Sequence, residues 1–194
     1  MAQVYRIFTL GDLKVRVKDI TQFIVRAKKA CYASNKLEEI LPDGSKQLTF
    51  QEGDFHYTDN YAGYLHAQGT EIVRWQKPDG QRIWQMSYSG GMKHPLEEEN
   101  EKIAHITFEF LKKCLGQVDV FAPFRGPEDR AVRQVIKSGE YKGRELRYTT
   151  KTEGVLKDFF GAEEITIVSK GSEKVLRVLF EQHYSGGLVV PRRK

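Results

Sequence analysis

Glu71 and Glu163 are the residues best placed in this sequence to do proton chemistry. Each stands two positions after a glycine, in Gly69-Thr70-Glu71 and Gly161-Ala162-Glu163. Two carboxylates at a suitable separation divide into acid and base, because the charge of one raises the pKa of the other. Each could instead pair across a strand with Lys or Arg and serve only the fold. Arg125 lies between two prolines in Pro123-Phe124-Arg125-Gly126-Pro127. Its planar guanidinium could take a carboxylate or phosphate through two hydrogen bonds, or tie two parts of the chain together. Gly90-Gly91 and Gly186-Gly187 each follow a Tyr-Ser pair. Paired glycines can aim backbone amides at an anion, or simply end or bulge a strand.

Other chemistries find less support. His56, His66, His94, His105 and His183 are scattered without a His-x-x-x-His pair, so no metal is expected. There is neither a Gly-x-x-x-x-Gly-Lys phosphate loop nor a Gly-x-Ser-x-Gly elbow, and no cofactor is implied. Cys31 and Cys114 fall on apolar helix faces, as buried reduced thiols do.

The elements that must hold these residues come as two similar sets. Tyr57 and Gly63 recur as Tyr148 and Gly154, Glu71 as Glu163, and Tyr88-Ser89-Gly90-Gly91 as Tyr184-Ser185-Gly186-Gly187, at offsets of 91 to 96 positions. The order of these residues predicts an internal duplication. Val4 to Leu10 and Leu13 to Val17 read as a hairpin around Gly11-Asp12. Asp19 then caps a helix whose apolar stripe is Ile20, Phe23, Ile24, Ala27, Ala30 and Cys31, with Arg26, Lys28 and Lys29 on a solvated face. After the Pro42-Asp43-Gly44 turn, strand alternation runs from Leu48 and Phe50 through the Glu52-Gly53-Asp54 turn to Phe55, Tyr57 and Asp59, with Gly63 and Gly69 bracketing an aromatic loop. Ile72 to Gln76 and Arg82 to Tyr88 pair around Pro78-Asp79-Gly80. In the second of these strands Trp84, Met86 and Tyr88 share one face, and Ile83, Gln85 and Ser87 the other. Pro95 to Leu115 supplies the covering helix. Glu128 to Lys137 reads as a helical turn or two, and the second strand set follows as Leu146 to Thr150, Glu164 to Ser169 and Lys174 to Tyr184. The fold class expected is α+β: two related antiparallel meanders, each packed against a helix. The divisions are a hairpin over 1–18, a first half over 19–122, a second over 123–190 and a basic tail, 191–194, without order.

Charge sets further bounds. The 31 basic and 26 acidic residues leave a formal charge of +5, and the two signs are interleaved. That permits an anionic partner without requiring one. Aromatic residues along strands, such as Tyr61, Tyr64 and Trp75, would suit nucleic acid, but core aromatics look the same in a sequence, and this reading is not favoured. No apolar run approaches the roughly 20 residues of a membrane helix, and the first residues do not resemble a secretory signal, so a cytoplasmic protein without membrane contact is expected.

Taken in order, Gly53-Asp54-Phe55-His56-Tyr57, Gly69-Thr70-Glu71, Trp84 to Gly90, the Arg125 segment, Gly161-Ala162-Glu163-Glu164-Ile165 and the closing Tyr184-Ser185-Gly186-Gly187 resemble a bacterial domain family of unknown function. The resemblance runs from about Phe23, where the opening helix is similar, to Leu188. Members often follow a helix-turn-helix domain in regulators of transcription; residues 1–18 are too short for one and read as strands. The segment from Arg130 to Gly143 is longer than the family pattern. The resemblance implies a module that senses an effector or binds a partner. The expected function is accordingly non-catalytic ligand sensing or interaction, with a small molecule or protein as ligand and a homodimer as one allowed form. Tyr57, Glu71, Trp84, Tyr88, Arg125, Tyr148, Glu163 and Tyr184 are the candidate lining residues. An enzyme working through Glu71 and Glu163 is the alternative, and a nucleic-acid binder the third reading.

Overall fold

The computed structural model describes residues 7–10, 13–33, 38–93 and 98–190. The Gly11-Asp12 turn, Pro95 and the basic tail fall outside them. Strands β1 (Ile7–Leu10) and β2 (Leu13–Arg16) pair antiparallel and lead into helix α1 (Val17–Ala33). The helix begins two residues before the expected cap. Asp19 lies in its first turn, where it suits the helix dipole, and its carboxylate takes the Arg16 Nε at 2.8 Å.

Nine further strands form one antiparallel sheet. In chain order they are β3 (Glu39–Ile40), β4 (Lys46–Glu52), β5 (Phe55–Gly63), β6 (His66–Trp75), β7 (Arg82–Met92), β8 (Val132–Val135), β9 (Glu145–Val155), β10 (Asp158–Val168) and β11 (Val175–Leu188). Helix α2 (Glu98–Leu115) comes between β7 and β8. Across the sheet the order is β3-β4-β5-β6-β7-β11-β10-β9-β8. The expected α+β class holds in this form: among the described residues, two helices, the β1-β2 pair and one nine-stranded antiparallel sheet that makes up most of the structure. Among the described residues no helix is long and apolar enough to cross a membrane.

The order reads alike from both sides of its middle, with β4 to β7 on one flank, β8 to β11 on the other, and β7 against β11. The two Tyr-Ser-Gly-Gly phrases lie on this seam. Tyr88 and Tyr184 are direct partners, Gln182 faces Gly90, and Gly186 faces Met86. The glycine pairs therefore remain in the ladder, each one residue before the end of its strand. On each flank the matched residues also share a register: Tyr57 faces Val73 as Tyr148 faces Ile165, and Gly69 faces Tyr88 as Gly161 faces Tyr184.

Both helices lie on one face of the sheet. Ile20, Phe23, Ile24, Ala27 and Cys31 of α1 pack with Leu48, Tyr57, Val73, Trp84 and Met86. Ala104, Phe110, Leu111, Cys114 and Leu115 of α2 pack with Leu146, Tyr148, Ile165, Ile167 and Phe180. Both cysteines are buried, and burial pushes the Cys114 thiol up to about 12, so it is inert at neutral pH.

Two expectations need correction. Residues 61 to 69 are not a loop: β5 and β6 pair down to Gly63 and Ala67, leaving only Tyr64 and Leu65 in the turn. Gly63 allows this tight reversal through its positive φ of 99°. Residues 132–135 form strand β8 instead of helix, because the edge of β9 offers its backbone a partner and pairs Val132 with Tyr148. The long segment from Arg130 to Gly143 is this strand and the turn after it.

Gly69 and Gly161 have a steric reason to be glycine. A Cβ at Gly161 would lie 2.6 Å from the Tyr184 ring, and one at Gly69 would run into the Tyr88 ring, which lies across the bare backbone. Gly69→Ala and Gly161→Ala should each lower the urea midpoint clearly, by about 1–3 kcal/mol of overpacking. Gly116→Ala, whose new carbon would meet nothing closer than 3.5 Å, should change it little.

Candidate functional site

The registers and the two helices bring the predicted residues together beneath the helices. Arg125 reaches in from the segment after α2 and is 4% exposed; Glu71 on β6 is 0% and Glu163 on β10 is 1% exposed. The guanidinium donates from Nε to Glu163 at 2.9 Å, from NH1 to Glu71 at 3.3 Å and from NH2 to Gln182 of β11 at 2.8 Å. Its other contact is electrostatic, with Cζ 5.0 Å from the centre of the Tyr88 ring. Of the two tasks open to Arg125, the geometry displays the tie between the flanks. The two glutamates do not pair across strands. Their shared cation comes from the connecting segment.

Glu71 has a second cation that sequence reasoning placed wrongly. Lys28 of α1 is 1% exposed, and its ammonium lies 2.8 Å from the Glu71 carboxylate and donates to the Phe124 carbonyl. Reading Lys28 as part of a solvated face overlooked its spacing. It follows Ile24 by four and precedes Cys31 by three, both positions of the buried stripe. Burial lowers its pKa, against the pull of Glu71.

Asp59 was missed as well. It faces Glu71 across β5 and β6 and accepts hydrogen bonds from Tyr32 at 2.7 Å and Tyr88 at 2.8 Å. Its cue in the sequence was a lone acid in the alternating run Phe55, Tyr57, Asp59, Tyr61, on the face otherwise aromatic. Burial, with the charge of Glu71 next, pushes its carboxyl up to about 6. Three acids thus face two cations in this cluster, and below about pH 6 a proton on Asp59 balances them.

The remaining candidates frame the cluster. Tyr148 donates to Glu163 at 2.7 Å and accepts from the Gly126 amide at 2.9 Å, which fixes the segment carrying Arg125. The Tyr184 hydroxyl lies 2.9 Å from Thr150 and 2.8 Å from Thr152. Trp84 is buried and stacked on Phe159 with centroids 6.1 Å apart, and the Lys28 ammonium lies 5.8 Å from its ring. Tyr57 is buried in the same layer. Burial holds Tyr32, Tyr57, Tyr88 and Tyr148 well above the usual phenol pKa, so all four stay neutral donors.

Among the described residues, the opposite face of the sheet carries no helix. There the strands form a trough of about 1270 Å³, floored by side chains of β4 to β7, β10 and β11. Of the eight candidates only Tyr88 and Tyr184 also border it. A smaller hollow of about 350 Å³ continues it past Gln85, Ser87 and Ser185 to Lys157 and Val189.

One antiparallel sheet, backed on one face by two helices around a buried ion cluster, defines a sheet-and-helix scaffold. Residues 59–189 match the family described as Domain of unknown function (DUF5680), and the chain belongs to that family. No similarity to a curated protein or to a solved structure accompanies this match.

Removing Arg125 leaves two buried carboxylates without their common counter-charge. Arg125→Met should cost about 3–5 kcal/mol in chemical denaturation, and Arg125→Lys should recover only part, since one ammonium cannot reach Glu71, Glu163 and Gln182 together. Asp59 makes a signed prediction. Its folded pKa lies above the unfolded value, so the native state holds the extra proton between about pH 4 and 6, and this contribution to stability is lost as pH rises through about 6. In thermal melts, Asp59→Asn should flatten the dependence of the midpoint on pH over that window relative to the unaltered protein.

Proposed function

We propose that this protein is a non-catalytic module that binds a ligand in the trough of the open sheet face. The observation that carries this reading is the contrast between the two faces. One is filled by helices and its charges are consumed by one another; the other is concave, polar and uncovered. Ligand sites are concave with a few convergent polar groups, and the trough has that character. The carboxylates of Glu71 and Glu163 are bound by Arg125 and sealed from solvent, which suits a latch better than an acid and base pair. Arg74 and Arg82 are the trough's basic residues, both at one margin, so a nucleic-acid strand would find few cations along the floor.

The finer parts of this reading rest on supporting features. The matched registers of Tyr57 with Tyr148 and Gly69 with Gly161 support two copies of one ancestral unit. The resemblance to domains carried behind helix-turn-helix units supports a link to transcription, in which occupancy of the trough would be passed to a DNA-binding partner in the cytoplasm.

Ser87 lies exposed at the centre of the trough floor. Screened against metabolites, nucleotides and short oligonucleotides, the protein should show a dose-dependent rise in melting temperature with its ligand class. Ser87→Trp should melt as the unaltered protein does and lose that rise. A ligand that still stabilises Ser87→Trp in full would place binding elsewhere and refute the trough.

A further inference from the structure

The trough floor is unlike the rest of the chain in its chemistry. Asp, Glu, Lys and Arg make up 29% of all residues. The registers nevertheless align Asn60, Thr70, Ser87 and Ser185 side by side across β5, β6, β7 and β11, and this row passes on to Phe160 of β10 before it meets Glu153 of β9. The next row holds Gln68, Ser89 and His183, and the row on the other side Thr58, Ile72 and Gln85. None of these positions is Asp, Glu, Lys or Arg. Such residues return at the borders, with Arg74 and Arg82 beyond one outer row, Glu181 and Glu164 beyond the other, and Asp158, Glu153 and Lys151 where the three rows run out onto β10 and β9. A face that merely meets water gains solubility from charged side chains, and this band has shed them.

What remains are hydroxyls and carboxamides, groups that donate and accept hydrogen bonds without net charge. Phe160 adds a flat apolar surface further along the row. It is 59% exposed although it sits within a paired strand, its neighbours in register being Ser185 and Glu153. Neighbouring strands lie about 4.8 Å apart, so the row from Asn60 to Phe160 spans roughly 19 Å. With the smaller hollow continuing it, the trough is longer than one small metabolite requires.

We propose, resting on the trough as the binding site, that it takes a neutral oligosaccharide laid across the strands, its hydroxyls on the Asn60–Ser185 row and one sugar ring against Phe160. Sugar hydroxyls both donate and accept, as Ser, Thr, Asn and Gln do, so each can be satisfied without a buried charge. The C–H face of a pyranose offers the apolar patch that an exposed ring can cover. A phosphate-bearing chain would need cations along its path, and a charged peptide would need opposite charges on the floor; across β5, β6, β7 and β11 the band provides neither.

The test is an array of neutral glycans of three or more units, with homopolymeric single-stranded DNA and neutral and charged peptides as competing classes. Hits are followed by titration calorimetry and by backbone amide shifts. The expected result is a neutral glycan whose shifts map to the trough and whose affinity stays within about twofold across a tenfold rise in salt. Phe160→Ala, an exposed position, should weaken it at least about tenfold, while Phe160→Trp retains it. If DNA, a peptide or a small metabolite occupies the trough and every neutral glycan is silent, the sugar assignment is overturned and the trough remains the site. A glycan that binds equally well to Phe160→Ala also overturns it. If no probe of any class shifts the trough amides, both the sugar assignment and the trough reading fall.

Discussion

The structure depends on one buried guanidinium. Arg125 is the point at which β6, β10 and β11 are held to one another by side chains, and the carboxylates it binds cannot be exposed without taking the sheet apart. Burying an ion costs free energy unless the pairing is close and the remaining lone pairs are met. Here the cost is offset by a fork shared among Glu163, Glu71 and Gln182, by Lys28 on the far oxygen of Glu71, and by Tyr148 on the far oxygen of Glu163. An apolar layer could hold the same helices with similar strength. What the charges add is register: a slip of one residue in β6 or β10 would move a glutamate to the open face and strand Arg125 among hydrophobic side chains.

This arrangement divides the labour between the faces. The helix-covered side fixes the sheet, and its polar groups are spent on each other. The open side is thereby released from any structural task, and its composition is free to answer to whatever lies against it. The seam where β7 meets β11 serves both sides, since Tyr88 donates to Asp59 of the ion cluster and Tyr184 meets Thr150 and Thr152, while Ser87 and Ser185, one residue away from each, look into the trough.

Much of the scaffold was readable from residue order. The paired recurrence of Tyr, Gly and Glu located the matched strands, and the alternation around Trp84, Met86 and Tyr88 identified their buried side. Glu71, Glu163 and Arg125 were singled out on chemical grounds, and the fold brought them into contact. Other features were decided by tertiary context. Lys28 carries a charge that every surface expectation sends to water, yet its helical spacing and a waiting carboxylate draw it inward. Val132 to Val135 lack enough residues to show a period of their own, and β9 supplies the edge that makes them a strand. The trough was beyond the sequence because it is a property of neighbours across strands: Asn60, Thr70, Ser87 and Ser185 are far apart in the chain and become a row only in register.

The place of β11 has a consequence for how the protein is made. It is the last strand along the chain, yet it stands in the middle of the sheet, between β7 and β10. Until residues 175–188 have left the ribosome, the eleven residues of β7 present an unpaired edge, and the first half is an open sheet with apolar side chains ready for any other strand. The β7 edge is therefore most open to misassociation until residues 175–188 are made, and β11 closes the gap.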